Sequence, residues 1–198
     1  MATFTVSVVV DGLDLGNHDL DLIFEVLPDA VPASVAGIVS ITSPIDAHSA
    51  ENAAMLLVDE IRRMFPHAIP LRLDQDLVAI PDIAARMNRG RESVRLLVDG
   101  KRGPGGFPPP VGVVGDGIRV WPWAVVADWL AARLGFDTGE RLVSPEVAAR
   151  VDALLAEHRQ AGAHQEAVRR QHVTWAADPI PVSSRLYLVS GSVGPAAA

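Results

Sequence analysis

The first 75 residues alternate between strand-like and helix-like hydrophobic spacing, and this succession restricts the chain to few folds. Apolar and polar residues alternate over residues 4–10, 33–41 and 69–73, which is the pattern of half-buried strands. Apolar residues recur at helical spacing over residues 20–27 and 53–65. The sequence therefore predicts a strand, a helix, one or two strands, a second helix and a last strand.

Two local signals sharpen this order. Gly37 lies in the middle of the second alternating stretch and indicates a tight hairpin that would divide the stretch into two strands. Ser49 precedes the longer helix and is its predicted N-cap. The complete order is typical of a small α+β sandwich of the ferredoxin-like type, which we predict for residues 1–75. This fold is compatible with many functions and indicates none by itself.

Residues 77–135 have a different pattern. A short helix is predicted over residues 82–87, followed by the turn Asn88-Arg89-Gly90 and a second helix over residues 91–98. Two helices joined by a three-residue turn that contains glycine form a helix-turn-helix. The second helix of this motif can lie in the major groove of DNA.

A hairpin follows the helix pair. Residues 101–110 are rich in Gly and Pro and predict a loop. Strands are predicted over residues 111–114 and 118–121, with Asp116-Gly117 as their tight turn, and a helix over residues 124–134. A hairpin in this position is a wing. The predicted fold class is therefore α+β, a ferredoxin-like sandwich followed by a winged helix-turn-helix.

The remaining residues, 136–198, predict a helical extension and an irregular tail. Apolar residues recur at helical spacing from about Ser144 to His158, and residues 182–189 have the composition of a strand.

The net charge of −7 argues against a nucleic-acid partner for the chain as a whole, because Lys and Arg supply the contacts to phosphate. The charge is unevenly distributed, however. Residues 1–76 carry three Arg against twelve acids, and residues 136–198 carry six Arg against seven acids. Residues 77–135 carry eight basic side chains against five acids, a net charge of +3. This basic centre is the candidate for binding an anionic partner, and chance clustering on a solvated face is the alternative.

Several motifs of the central segment occur in an order known from DNA-binding proteins. They are Leu77-Val-Ala-Ile-Pro-Asp-Ile-Ala-Ala-Arg-Met87, Arg91-Glu-Ser-Val-Arg95, Phe107-Pro-x-Pro110, the Asp116-Gly117 turn, and Trp121-x-Trp123 with Trp129 six residues further on. Together they resemble the AlpA/excisionase-type and MerR-like winged helix-turn-helix proteins. The resemblance covers about sixty of the 198 residues.

The resemblance implies a bacterial or phage regulator that binds double-stranded DNA, with the second helix in the major groove and the wing on the backbone. The sequence departs from the family at Gly90, where a Ser or Thr cap is usual, and at Arg89, where a small apolar residue is usual. MerR-like regulators also carry a long dimerising coiled coil, and this chain has only the short apolar pattern that ends near His158. We predict a homodimer formed through the N-terminal domain or the C-terminal helix.

Seven residues are the predicted DNA contacts. Arg91, Ser93 and Arg95 lie at the start and on the exposed side of the second helix, where an Arg can bind guanine through two hydrogen bonds. The other predicted contacts, to phosphate, lie in the turn, the loop and the wing, and are Arg89, Lys101, Arg102 and Arg119. The alternative is that the helix arginines pair only with Glu92 and Asp99 on a solvated surface.

The three tryptophans Trp121, Trp123 and Trp129 have two interpretations. Exposed aromatic rings would form a platform for stacking single-stranded bases. Trp121 and Trp123 are predicted to share one face of a strand beside an apolar helix, which favours packing in the core instead.

The sequence has no recognisable catalytic or metal-binding motif. It lacks cysteine, a GxSxG elbow, an HExxH pair and a GxxxxGK[ST] loop, and the spacing of His158, His164 and His172 puts them on different sides of a helix. We therefore expect no enzyme activity, no cofactor and no metal. No apolar run is long enough for a membrane span and no signal-peptide pattern follows Met1, so we expect a cytoplasmic protein.

Three functions follow from these observations. The first is a sequence-specific regulator of transcription or excision that binds double-stranded DNA. The second is an interaction adaptor that uses a winged-helix fold to bind protein without binding DNA. In the third, the acidic N-terminal domain binds a small effector.

Overall fold

The computed structural model describes residues 1–177, so the tail with the predicted strand at 182–189 lies outside the described residues. Residues 1–159 form one compact unit that contains all the described strands. The fold is mixed α+β, and two separate hydrophobic cores occupy this unit.

The first core lies under a four-stranded antiparallel sheet. The strands are β1 (Ala2–Asp11), β2 (Val31–Val35), β3 (Ile38–Ala47) and β4 (Ile69–Leu73), in the order β2-β3-β1-β4. Helix α1 (Asn17–Val26) follows β1 and helix α2 (Ala50–Met64) follows β3. The predicted succession of strands and helices over residues 1–75 is thereby confirmed.

The local signals at both ends of β3 are also confirmed. Val35 pairs with Ile38, and the two residues between them, Ala36 and Gly37, both have positive φ (51° and 81°). This is the geometry that matches a hairpin turn to the twist of its strands. At the other end, the hydroxyl of Ser49 accepts a hydrogen bond from the Asn52 N–H (3.2 Å) and caps α2.

Strand β4 departs from the predicted alternation. Pro70 and Leu73 are the buried residues, whereas Ile69 and Leu71 are 45% and 37% exposed. The register against β1 shifts here, and Leu71 is the extra residue of a β-bulge. The alternation therefore predicted the strand correctly but predicted the wrong residues to be buried.

Helix α6 (Pro145–Ala177) completes the first core from outside the N-terminal segment. Ala148, Val151 and Leu155 are buried among the residues of that core. The Asp152 carboxylate accepts a hydrogen bond from the Leu73 N–H (2.7 Å), and Arg159 donates to the carbonyls of Pro70 and Leu71. Helix α6 thus satisfies backbone groups on the outer edge of β4, which would otherwise be open to pairing.

The second core is built by residues 77–134. Its helices are α3 (Ile80–Arg86), α4 (Arg91–Val98) and α5 (Trp123–Leu134), and its three-stranded sheet has the order β5-β7-β6, with β5 (Leu77–Val78), β6 (Gly112–Val114) and β7 (Ile118–Pro122). The two predicted helices around Asn88-Arg89-Gly90, the loop, the hairpin and the closing helix are confirmed as elements. The hairpin turn consists of residues 115–117, which include the predicted Asp116-Gly117 pair and lie between the strand ends that the sequence predicts.

The core interpretation of Trp121 is confirmed. Its ring is fully buried, its indole N–H donates to the Pro108 carbonyl (2.9 Å), and Phe107 packs edge-on against it with ring centroids 5.7 Å apart. Phe107 also contacts Trp129. Trp123 is 4% exposed but begins α5 and does not share a strand face with Trp121. None of the helices described has the length and apolar character needed to cross a membrane.

Candidate nucleic-acid interface

Helix α4 is held in place by one apolar side and presents the other side to solvent. Val94 and Leu97 are buried in the second core, while Arg91 and Arg95 are exposed and Ser93 is half-buried. This is the division between buried and exposed sides that the sequence predicts for the second helix.

The turn before α4 depends on a left-handed residue. Asn88 has φ of 49°, a conformation that Asn tolerates better than most side chains. The Arg89 N–H donates to the Ala84 carbonyl (2.8 Å), so the turn is anchored to α3. Gly90 is the N-cap residue and offers no side-chain acceptor, which leaves the first N–H groups of α4 open to an external partner.

The loop after α4 is anchored to the helix in the same way. The N–H groups of Lys101 and Arg102 both donate to the Leu96 carbonyl (2.9 and 3.1 Å). Gly103 follows with φ of 82°, and a Cβ at this position would lie 2.6 Å from Leu97 Cδ1. Glycine is therefore favoured where the loop passes over the end of α4, since any other residue would be strained at this φ and would displace the Leu97 side chain.

Three of the seven predicted contact residues meet at one place. Arg89, Ser93 and Arg102 line a small groove of about 120 Å³ whose floor includes Val94 and Leu97. The turn, the helix and the loop thus converge on a single surface. The sequence pattern alone did not show that these three elements lie side by side.

Four predicted contacts are cations that have no acidic partner among the side chains that the structure describes. The side chains of Arg89, Arg91, Lys101 and Arg102 are exposed, and none lies within 4.0 Å of a carboxylate of the described residues. We refer to these four residues as the basic surface. It lies at the start of α4 and in the loop that follows α4.

The other two arginines are paired. Arg95 donates two hydrogen bonds to Glu92 (2.6 and 2.8 Å) and lies 3.3 Å from Asp99, and Arg119 donates to Asp99 (3.0 Å). The hydrogen bond from Arg95 lowers the pKa of Glu92, and the hydrogen bond from Arg119 lowers the pKa of Asp99. The solvated ion pair proposed as the alternative is thus present for Arg95, and DNA contact by Arg95 and Arg119 stays a prediction.

The wing presents little positive charge beyond Arg119. Val113, Val114 and Ile118 on its two strands are 51–62% exposed, and Asp116 lies in its turn. Phosphate contact by the wing through Arg119 stays a prediction.

Sequence reasoning missed a cleft that the described residues form between the first sheet and the second core. The cleft has a volume of about 700 Å³, and it includes Arg86, Trp123 and the segment 136–143. No sequence motif marks it, because its walls come from distant parts of the chain. Within the described part of the chain, no three His, Asp or Glu side chains converge in a way that could hold a metal ion.

Comparisons with protein-family models, with curated proteins and with solved structures found no match to this chain.

Proposed function

We propose that this chain binds double-stranded DNA through residues 77–135, with α4 in the major groove, and acts as a sequence-specific regulator without enzymatic activity. The element order supports a winged helix-turn-helix arrangement, since α3, the turn and α4 precede the hairpin β6–β7 and the closing helix α5. The strand order β2-β3-β1-β4, with a helix after β1 and after β3, supports a ferredoxin-like arrangement of the N-terminal segment. Such a regulator would work in the cytoplasm.

The basic surface is the observation that carries this proposal. An acidic chain with a net charge of −7 keeps four exposed cations around one short helix, and none of them has a carboxylate within 4.0 Å in the part of the chain that the structure describes. Phosphate binding gains most from cations that are not already neutralised, because each one releases a counterion from the DNA.

Each residue of the basic surface has a specific role in the proposed complex. Arg91, in the first turn of α4, reads a guanine through O6 and N7, and Ser93 contacts a base or phosphate beside it. Arg89, Lys101 and Arg102 bind phosphates and fix the register of the helix. Arg95 is 46% exposed, and an ion pair on the surface contributes little to stability, so Arg95 exchanges Glu92 for DNA at small cost.

The proposed regulator acts by occupying its site, and a dimer would extend the length of DNA that it reads. The apolar side of α6 is partly used within the chain, because Val151 and Leu155 are buried in the first core. The N-terminal segment offers exposed apolar side chains instead, at Val31, Val35 and Ile38 around the β2–β3 hairpin. The dimer we propose therefore uses the N-terminal segment.

The wing favours a second candidate function. Its exposed valines and Ile118 are more typical of a protein-binding surface than of a phosphate-binding one. An interaction adaptor would use this apolar hairpin and would not need the basic surface.

The test begins with sites selected from a random DNA pool by the full-length protein. Binding to the enriched site is then measured at about 0.05 M and about 0.2 M salt, where contact with several phosphates predicts a steep loss of affinity. Arg91→Ala should weaken binding to the selected site by about 1–3 kcal/mol. Arg63→Ala removes the same charge from the exposed side of α2, where Arg63 pairs with Glu60, and should leave binding unchanged.

Two results would contradict the regulator. One is the absence of any enriched site, and the other is an affinity that does not depend on salt. Either result would favour the adaptor. Equal losses in the two arginine variants would show a non-specific effect of charge and would remove α4 as the reading helix.

A further inference from the structure

The cleft between the two cores has walls from four separate parts of the chain. One wall is the outer face of the first sheet, and a second is the linker of residues 74–76. The third consists of Arg86 with the start of α5, and the fourth is the segment 136–143 together with Ala148 of α6. Its volume of about 700 Å³ lies within the range of small-molecule sites, about 300–1,000 Å³.

The sheet face in the cleft is polar although a second core lies across from it. Thr5, Ser7, Ser40 and Thr42 line this face, while the alternate residues of β1, such as Val6 and Val8, point into the first core. Thr42 donates to Ser7 (2.8 Å), and the hydroxyls of Thr5 and Ser40 have no hydrogen-bond partner among the described residues. A row of hydroxyls with unused donors and acceptors fits a polar ligand better than an apolar one.

The described lining of the cleft is acidic, although one of its carboxylates, Asp74, pairs with Arg72 at 3.6 Å. Its lining holds four carboxylates, of Asp74, Asp76, Asp137 and Glu140, and one guanidinium, of Arg86. Arg86 is already bound to Asp76 through two hydrogen bonds (2.6 and 2.9 Å), and its guanidinium lies 4.6 Å from the centre of the Trp123 ring. Among the described lining residues, this one cation is thus hydrogen-bonded to one of the carboxylates, and Glu140 acts on it only through a longer-range charge interaction.

Asp137 and Glu140 have no cationic partner within 4.0 Å among the described residues. One oxygen of Asp137 accepts from the Gly139 N–H (2.9 Å), and the Glu140 N–H donates to the Thr138 hydroxyl (3.4 Å). These local bonds fix the segment that carries both carboxylates beside the cleft. Phe136, at the start of the same segment, adds an aromatic wall.

We propose that this cleft binds a small hydroxylated organic cation of the amino-sugar class. The ammonium group pairs with Asp137 and Glu140, the hydroxyl groups bond to the Ser and Thr row of the sheet, and the carbon face of the ring packs on Phe136. The proposal concerns a site outside the basic surface and does not depend on DNA binding.

The position of the cleft gives such a ligand an effect on the whole unit. The chain passes between the two cores through residues 74–76 and again through residues 136–143, and both segments line the cleft. A ligand that contacts both segments binds only when the two cores are packed together. It therefore stabilises the native state by a free energy that grows with the logarithm of one plus the ratio of its concentration to Kd.

Glucosamine, glucose and putrescine are suitable probes for isothermal titration of the full-length protein in the absence of DNA. Glucosamine carries both the charge and the hydroxyls, glucose lacks the charge, and putrescine lacks the hydroxyls. We expect saturable binding of glucosamine, with an affinity about tenfold or more above that of either comparison compound, and a matching rise in Tm. Equal binding of glucose, equal binding of putrescine, or no binding of glucosamine would overturn the proposal.

A pair of double variants tests the site itself. Asp137→Asn with Glu140→Gln should raise the Kd for glucosamine about tenfold or more, because it removes both carboxylates from the ammonium group. Asp116→Asn with Glu157→Gln removes the same charge from exposed positions outside the cleft and should leave the Kd within about twofold. An equal effect of the two double variants would show only general attraction of a cation by an acidic protein. The Tm of each variant without ligand shows that it is folded.

Discussion

At the scale of single residues, the predicted DNA-contacting arginines differ in whether they form ion pairs. Arg91 and Arg95 lie on the same exposed side of α4, yet among the described residues Arg95 is paired with carboxylates and Arg91 is not. Spacing explains this difference, since Glu92 is three residues before Arg95 and Asp99 is four residues after it, the distances at which helix side chains meet. The sequence contained both acids, and for this reason the ion pair could be stated in advance as the alternative.

The paired carboxylates provide a prediction that NMR can check. The hydrogen bonds from Arg95 and Arg119 lower the pKa of Glu92 and of Asp99 in the folded protein. A lowered pKa means that the stabilisation is complete above the ordinary carboxyl pKa, near about 4, and is lost as pH falls through the lowered value. We expect NMR titration of the carboxyl carbons to give each of the two residues a pKa below that of an ordinary Glu or Asp. In Arg95→Ala the pKa of Glu92 should rise towards its ordinary value.

Asp99 supplies the control for this titration. In Arg119→Ala the pKa of Asp99 should rise more than that of Glu92, because the hydrogen bond from Arg119 is the main cause of its shift. If both variants left both titrations unchanged, the ion pairs would not be formed in solution.

At the scale of elements, features that depend on neighbouring residues were predicted correctly, whereas features that depend on pairing between distant strands were not. The hairpin at Gly37, the N-cap at Ser49 and the helix pair around Asn88 each depend on a few neighbouring residues, and all three are confirmed. The two-residue strand β5 was not predicted, because only its pairing with Trp121 and Pro122, more than forty positions away, makes it a strand. The bulge in β4 was missed for the same reason, since β1 sets its register.

The loop after α4 makes a prediction about an element. Gly103→Ala places a methyl group against Leu97 and forces alanine into a positive φ. It should therefore destabilise the protein by about 2 kcal/mol. It should also weaken DNA binding, because the shifted loop displaces Arg102. Gly106→Ala is the matched variant, because Gly106 also has a positive φ (66°) but no atom lies within 4 Å of the added carbon. Gly106→Ala should lower the free energy of unfolding by about 1 kcal/mol, because it carries only the strain of a positive φ and no steric contact. Urea unfolding and DNA titration measure the two effects.

Equal losses of stability in the two glycine variants would show that Leu97 moves aside freely. Unchanged DNA binding in a destabilised but folded Gly103→Ala protein would show that the position of Arg102 is not important for binding.

At the scale of the whole molecule, the first core and the cleft are each formed by segments that lie far apart in the sequence. Helix α6 was expected as an extension of the molecule, yet Val151 and Leu155 complete the core of the first sheet. The cleft likewise forms only because the segment 136–143 returns to β1, where the Thr5 N–H donates to the Arg141 carbonyl (2.9 Å). Hydrophobic spacing identifies elements and their buried sides, but it carries no information about which core a side chain joins.

The uneven charge gives a prediction at this same scale. Acidic side chains on the N-terminal segment repel DNA from a molecule whose basic surface attracts it, which lowers the affinity for random sequences. Asp14→Asn, Glu25→Gln and Asp29→Asn combined remove three exposed negative charges that have no cationic partner within 4.0 Å among the described residues. We expect affinity for random duplex DNA to rise about two- to fivefold at about 0.01 M salt, where the Debye length is about 30 Å.

Salt distinguishes this repulsion from a change in the fold. At about 0.15 M salt the Debye length is about 8 Å, and the gain of the triple variant should disappear, because the substituted side chains would then be screened from the DNA. A gain that persists at high salt would mean that the substitutions create a new contact. An affinity equal to that of the unmodified chain at every salt concentration would mean that the acidic segment has no part in selecting DNA, and specificity would then have to come from α4 alone.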